Sequence, residues 1–281
     1  MSITINKLST LEKSYGIITL TTDWGDNDYY VGAVKGLLYS LSPGITVVDI
    51  THNIVPFDIA MAAYVMKNSF ETFPEGSVHI VGVDTEDFAK QGNVQSHIAV
   101  SYKGQYFIGA DNGIFSMILD KEKVDQIIEL TIPFEAVNDK VRFSFSSRDR
   151  FVKAAVHLAN GGNILDLGKR LEGYKELLPF KPSYGKDYIK GVVIHVDHFE
   201  NAITNISEEL FEKLLSGREF ILSFRRYKIN KISKLYSDAK EIEPLALFND
   251  AGLLEIALNR ATASGLLGLR KNDTVSIEFK E

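Results

Sequence analysis

The chain contains no cysteine, which excludes disulfides, thiolate metal sites and cysteine nucleophiles and fits a cytoplasmic protein. No apolar run approaches membrane-spanning length, and Met1–Ser14 is polar, without the apolar core of a signal peptide. Internal repeats and low-complexity segments are missing. So is an excess of positive charge. Lys and Arg number 31 against 37 Asp and Glu, and the net charge of -6 gives no general attraction to nucleic acid. One basic run exists: Arg218, Arg225, Arg226, Lys228 and Lys231. It alternates with Phe220, Leu222, Phe224 and Tyr227, and reads as the solvated face of a strand pair. Three catalytic signatures are absent: a GxxxxGK[ST] phosphate loop, a GxGxxG after the first strand and a GxSxG nucleophile elbow. His195 and His198 flank Asp197 at a strand end and make a weak zinc pair. Asp23, Asp26 and Asp28 lack the calcium-loop pattern, so no metal is expected.

What remains is an ordinary soluble composition, 45% apolar and 24% charged over 281 residues, enough for a large core and two domains. Short β-rich runs alternate with amphipathic segments in the first half. Strands are expected at Ile17–Thr21, Ile45–Ile50, Ser77–Asp84, His97–Val100, Tyr106–Ile108 and Gln126–Leu130. Helices are expected at Tyr30–Ser40, Asp58–Phe70, Gly113–Leu119 and Asp149–Ala159. That alternation predicts an α/β domain with a mostly parallel sheet covered by helices. Pro179, Pro182 and Gly185 mark a compositional break, so the expected domains are 1–180 and 190–281, with a linker at 181–189. The second domain reads as all-β and barrel-like, with strands at Gly191–Val196, Glu219–Phe224, Leu245–Phe248, Leu253–Leu258 and Thr274–Phe279. One helix, Ser207–Leu215, interrupts it.

Chemistry-bearing residues fall in the loops after strands. Asp23 follows the first buried strand and precedes Trp24-Gly25. In open α/β sheets that position lines the ligand crevice, where a carboxylate can accept hydrogen bonds from a ribose diol; it can equally cap a helix or close a turn. Asp84, in Val83-Asp84-Thr85, ends a second buried strand in the same way. Ser146 and Ser147, in Phe145-Ser146-Ser147-Arg148-Asp149, precede a helix, where they can face a ligand or serve as its cap. Asp197-His198-Phe199-Glu200-Asn201 opens the first loop of the second domain and ends in Thr204-Asn205-Ile206. Asn201 can read an adenine edge and Phe199 can stack on a ring. Together these clusters describe a small-molecule pocket rather than a nucleic-acid or membrane surface.

In this order, the clusters resemble the S-adenosyl-L-methionine hydroxide adenosyltransferase family, which includes adenosine-forming hydrolases and the related fluorinase and chlorinase. The stretches that carry the resemblance are TTDWGDNDYYVGAVKGLLYSLSPGITVVDITHNIVPFDI, FPEGSVHIVGVD, FIGADNGI, FSSRDRFVKAAVHLA, VIHVDHFENAITNI and GLLEIALN. The resemblance implies an N-terminal α/β nucleoside-binding domain, a C-terminal β-barrel-like domain and a homotrimer whose sites lie between subunits. It implies in-line displacement of methionine at ribose C5′ by water or a halide, with no cofactor. Asp23 then matches the ribose-binding aspartate. Phe57 matches an aromatic residue near the sugar, Asp197 the residue that holds the methionine amine, and Phe199 and Asn201 the adenine site. Asn249 and Asp250 lie where relatives bind the methionine end. Asp84 fits the aspartate of an Asp–Arg–His set that positions water in hydrolytic members, where halogenating members carry Tyr. The Arg position falls here at about Gln95 or Ser96, and the His position is Ser146. Ser147 falls where the fluorinase has a halide-contacting Ser. His97 is either an ordinary strand residue or a substitute for the missing Arg. Hydrolysis of S-adenosyl-L-methionine is thus expected, with halide transfer or binding without turnover as the alternatives.

Overall fold

The structure is a computed structural model that describes residues 16–85, 96–133, 136–137, 140–141, 145–178 and 180–280. The chain divides into two compact units, Met1–Leu177 and Leu178–Glu281. Among the described residues, no helix is long and apolar enough to cross a membrane.

The first unit contains strands β1 (Ile17–Thr22), β2 (Thr46–Thr51), β3 (Val78–Gly82), β4 (His97–Tyr102), β5 (Gln105–Ala110) and β6 (Val124–Leu130). A small pair, β7 (Ala136–Val137) and β8 (Lys140–Val141), follows, and then β9 (Gly168–Arg170). Seven of these form one sheet in the order β2-β1-β3-β5-β4-β6-β9. The sheet is mixed, not mostly parallel. The β1–β2, β1–β3 and β3–β5 pairings are parallel, whereas β4–β5, β4–β6 and β6–β9 are antiparallel. The reason lies at Lys103-Gly104. Both residues have positive φ, 50° and 73°, and Tyr102 pairs directly with Gln105. Such a two-residue hairpin can join only antiparallel neighbours, whereas a parallel step needs a crossover of a dozen residues.

Helices α1 (Tyr29–Leu41) and α4 (Val152–Ala159) cover one face, burying Val34, Leu38, Val152, Ala155 and Leu158 against Ile18, Leu20, Ile80 and Ile108. Helices α2 (Ile59–Lys67) and α3 (Ile114–Ile118) cover the other, burying Ala62, Ala63, Met66, Ile114 and Phe115 against Val81, Ile98 and Phe107. A sheet buried on both faces leaves its strand ends as the accessible places for polar chemistry.

The second unit contains β10 (Ser183–Tyr184), β11 (Tyr188–Val196), β12 (Ala202–Ser207), β13 (Glu219–Phe224), β14 (Tyr227–Ile229), β15 (Pro244–Phe248), β16 (Leu253–Leu258) and β17 (Thr274–Lys280). The main path runs β14-β13-β17-β11-β12-β16-β15, with antiparallel pairing throughout, and β10 pairs with β11. Ile232, just after β14, bridges to Ala246 of β15, which brings the two ends of the path together in a nearly closed, barrel-like sheet. Its interior holds Val193, Ile206, Leu222, Leu254, Ile256, Val275 and Ile277. The one expected helix is present: α5 (Glu208–Leu215) starts at Ser207, whose side chain accepts from the Leu210 amide at 3.2 Å, and buries Phe211. A second, unexpected helix, α6 (Ala263–Leu267), precedes the last strand, so the unit is not all-β. The segment Thr204-Asn205-Ile206, read from sequence as a loop end, is part of β12.

One polar group lies deep in the first sheet. His79 of β3 is fully buried, with Nδ1 2.8 Å from Thr19 Oγ1 and Nε2 2.9 Å from Gln105 Oε1. The amide oxygen can only accept, so Nε2 carries the proton and Nδ1 receives the Thr19 hydroxyl. Burial pushes this imidazole down from 6.5 to about 4, against a smaller upward pull from the Gln105 hydrogen bond. Below pH 6.5 the unfolded chain takes up a proton that the folded chain refuses until about pH 4. The stability that neutral His79 confers is therefore whole above that range and is lost as pH falls through it. Between pH 7 and 5 the loss should reach about 2 kcal/mol. Denaturant titration of the native chain and His79→Gln at both pH values checks this, because equal drops in the two proteins would exclude His79 as the cause.

Candidate active site

In the first unit the site begins at two adjacent strand ends. Parallel pairing sets Thr22 of β1 beside Gly82 of β3, so Asp23 and Asp84 both emerge at the carboxyl edge. Asp23 Oδ2 accepts from the Phe57 amide at 2.9 Å. Burial raises the Asp23 pKa; backbone hydrogen bonds from Phe57, Asp23 itself and Asp84 lower it, and the nearby Asp84 charge raises it further. Phe57 has a left-handed backbone with φ 66°, and its ring is 68% exposed. The amide that anchors Asp23 thus leaves an aromatic ring open to contact.

Trp24 follows Asp23 and lies against β3. A Cβ on Gly82 would stand 2.6 Å from Trp24 Cζ2, so only glycine fits there. Trp24 stacks with His52 at 6.4 Å and meets Phe145 edge-on at 5.7 Å. His52 is buried, and its Nδ1 is 2.7 Å from Thr22 Oγ1. Phe145 also carries the Arg148 guanidinium over its ring at 5.2 Å. Aromatic packing thereby ties the loop after β1 to the segment that leads into α4.

Asp84 has φ 47°, an uncommon backbone state that Asp tolerates better than most residues. Its segment is held through consecutive carbonyls. Asn112 Nδ2 donates to Val83 O at 3.1 Å and to Asp84 O at 3.3 Å, and His97 Nε2 lies 3.1 Å from Thr85 O. Thr85 Oγ1 is 3.4 Å from Ser147 Oγ. Ser147 opens a π-helical turn, Ser147–Phe151, where an ordinary helix start was expected. Such turns bulge side chains away from regular helix geometry. Ser146 is 3% exposed, and its Oγ is buried without a hydrogen-bond partner among the described residues.

His97 is a strand residue: it opens β4, is 1% exposed, and places Nδ1 3.3 Å from Arg150 Nη1. Asp84 lacks the family's usual Arg and His in sequence but is engaged with another group in the structure. Gln95 lies outside the described residues. Arg150 was not singled out from sequence, and neither were Trp24, His52 and Gly82. Arg150 sits in the quoted FSSRDRF stretch, and a charge among the apolar residues of a core-facing helix was the available signal.

In the second unit, Asp197 and Asn201 close one loop on each other. Asp197 Oδ1 accepts from the Asn201 amide at 2.7 Å and Oδ2 from Asn201 Nδ2 at 3.2 Å. Asn201 is buried, and these bonds fix the face of its side-chain amide. Phe199, at the loop tip, is 72% exposed. Glu200 has φ 62°, and its side chain accepts from the Gly265 amide at 2.9 Å.

Asn249 is occupied by its own turn. Its Oδ1 accepts from the amides of Ala251 and Leu253 at 3.1 and 3.2 Å, and its Nδ2 donates to Glu255 Oε2 at 3.2 Å. Tyr236 OH donates to Glu255 Oε1 at 2.8 Å. Burial raises the Glu255 pKa, the Tyr236 and Asn249 hydrogen bonds lower it, and the charges of Asp197 and Asp250 raise it again. Three carboxylates therefore share one electrostatic neighbourhood. Glu255 was missed as an individual residue, although a lone acid within Leu253-Leu254-Glu255-Ile256-Ala257-Leu258 was the signal for a buried, partnered carboxylate. A cavity of about 530 Å³ elsewhere in this unit is lined by Arg225, Arg226, Tyr227 and Arg270, and none of the candidate residues borders it. Among the described residues, no group of three or more His, Asp or Glu side chains is arranged to hold a metal ion.

Comparison with known proteins bears on both units. The model of the SAM hydroxide adenosyltransferase N-terminal domain matches residues 18–168, and that of the C-terminal domain matches residues 191–276. The chain is 32% identical to the (R)-S-adenosyl-L-methionine hydrolase of Methanocaldococcus jannaschii, over 94% of this chain and 96% of the relative. It is 27% identical to a fluorinase of Actinoplanes sp., over 93% of this chain and 97% of that enzyme. A solved structure of a conserved protein from Thermotoga maritima aligns with a TM-score of 0.81 at 32% identity, over 93% of this chain and 99% of that one.

The Trp24–Gly82 contact yields a prediction. Gly82→Ala should cost about 1–3 kcal/mol, because the new methyl must displace a packed indole. Trp24 is the chain's single tryptophan, so its emission should shift in the same variant. A native melting temperature with an unmoved emission maximum would contradict the contact.

Proposed function

The chain belongs to the S-adenosyl-L-methionine hydroxide adenosyltransferase family, and on that premise we propose that it hydrolyses S-adenosyl-L-methionine to adenosine and L-methionine. The observation that carries the reading is the pair of carboxylates at the ends of β1 and β3, with Asp23 anchored by the Phe57 amide. In this reading the N-terminal domain binds the nucleoside. Asp23 holds the ribose diol, and the exposed Phe57 ring lies near the sugar. Asp84 accepts a hydrogen bond from the attacking water, with Ser146 and Ser147 lining its pocket. Asn201 reads the adenine edge, Phe199 stacks on the base, and Asp197 binds the methionine ammonium. Asn249 and Asp250 shape the methionine end.

The chemistry asks little more. Water oxygen forms a bond to C5′ as the C5′–S bond breaks, the bonding pair returns to sulfur, and the water proton leaves toward Asp84 or solvent. A sulfonium is already a good leaving group, so alignment and exclusion of bulk water supply most of the catalysis, and no cofactor is called for. Asp84 favours water over a halide, because a carboxylate beside an incoming anion repels it. The similarity to a fluorinase and the buried Ser147 favour the halide as the second reading.

Chromatography of nucleosides after incubation with S-adenosyl-L-methionine, with and without chloride or fluoride, tests both readings. Adenosine is expected, independent of halide. Asp23→Ala should abolish it, and Asp84→Ala should lower kcat roughly 10²-fold with little change in substrate affinity. A 5′-halogenated nucleoside would replace the first reading by the second. Affinity without any product would leave a binding protein.

The assembly proposed is a homotrimer in which the N-terminal domain of one subunit and the C-terminal domain of the next complete each site. Mixing inactive Asp23→Ala and Asp197→Ala chains after reversible dissociation should then restore part of the activity, since some sites regain both residues. Mixtures as inactive as their components would exclude shared sites.

A further inference from the structure

Val83, Asp84 and Thr85 leave β3 with each of their three carbonyls taken by a side-chain donor. Two of those bonds come from Asn112. The third comes from His97, which is held in turn by Arg150. The direction of this chain follows from chemistry. A guanidinium has only donors, so His97 Nδ1 accepts from Arg150 Nη1. The proton then sits on Nε2, which donates to Thr85 O. The imidazole is 1% exposed and meets the Phe151 ring edge-on at 5.0 Å, so it is fixed both by packing and at its two nitrogens.

The same π-helical turn supplies a second link to this segment. Ser147 and Arg150 both lie in Ser147–Phe151; Ser147 Oγ lies 3.4 Å from Thr85 Oγ1, while Arg150 reaches Thr85 through His97. Ser146, the residue before this turn, has a buried hydroxyl with no partner among the described residues. Asp84 itself is in a strained left-handed state that surrounding bonds must hold.

We propose that Arg150 and His97 are positioning residues of the reaction, which act through the Thr85 carbonyl to hold the Asp84 carboxylate on the attacking water. This rests on the hydrolytic reading above. Neither residue touches substrate in this account. Arg150 polarises and orients the imidazole, and the imidazole fixes the peptide next to Asp84. Displacement of a reacting group by about 1 Å can cost on the order of 10²-fold in rate, which sets the scale of the effect.

The test compares steady-state kinetics of His97→Ala, Arg150→Ala, the double variant and His97→Gln. Each alanine variant should lose between about tenfold and 10²-fold in kcat at nearly unchanged KM. The double variant should lose no more than the worse single one, because both changes cut one chain. His97→Gln should regain most of the rate, since its amide offers an acceptor to Arg150 and a donor to Thr85. Wild-type kcat in both single variants would overturn the proposal, and so would losses that multiply in the double variant. The 15N spectrum of the native imidazole gives a reading free of any folding defect in the variants: a protonated Nε2 and an unprotonated Nδ1 are expected, and the opposite tautomer would refute the chain. If the native protein makes no adenosine, the hydrolytic reading fails and this role falls with it. Adenosine from the native protein with unaffected variants overturns the positioning role alone.

Discussion

The parallel register of β1 on β3 is the constraint on which the rest of the candidate site depends. It sets Thr22 opposite Gly82, so that Asp23, one residue on, and Asp84, two residues on, leave the sheet at the same edge. Two acidic side chains that are 61 positions apart in sequence, Asp23 and Asp84, come to share one edge. Trp24 can lie across that edge only because Gly82 has no side chain, and Trp24 in turn seats His52 and Phe145. A shift of one residue in this pairing would turn the side chains of one strand to the opposite face relative to the other and move the two carboxylates out of line.

Placing carboxylates close together in a half-buried edge is costly unless donors compensate. Asp23 is compensated by backbone amides, and in the second unit Glu255 is compensated by Tyr236 and Asn249. Negative potential from a neighbouring carboxylate acts in both units, from Asp84 on Asp23 and from Asp197 and Asp250 on Glu255. That potential suits the substrate proposed, which carries a sulfonium and an ammonium, and it opposes anionic ligands.

Three of the left-handed residues outside glycine fall in the same segments. Phe57, Asp84 and Glu200 all have left-handed φ without being glycine, at 66°, 47° and 62°. Each lies in a loop that presents a candidate residue, and each is held by neighbours: the Phe57 amide by Asp23, the Asp84 carbonyl by Asn112, and the Glu200 carboxylate by the Gly265 amide. Strain of this kind persists only where the surroundings over-determine it, as is common where side chains must be aimed.

Much of this was legible in the sequence. Hydrophobic periodicity located most strands and helices, because burial of one face or both leaves a repeating pattern in the chain itself. The acidic strand ends Asp23 and Asp84 and the Asp197–Asn201 loop were visible as polar residues breaking apolar runs. Sheet direction was not legible, since a strand's composition does not state its neighbour's polarity; the Lys103-Gly104 hairpin decided it. Nor were the partners of Asp84's segment. His97 and Arg150 are 53 positions apart, and only the packing of β4 against the turn before α4 joins them. The sequence by itself determined which residues are buried and where the chain leaves the sheet, because those follow from local pattern. The tertiary structure alone decided which side chains hold the carboxylates in place, because hydrogen bonds across the sheet depend on distance and direction in space.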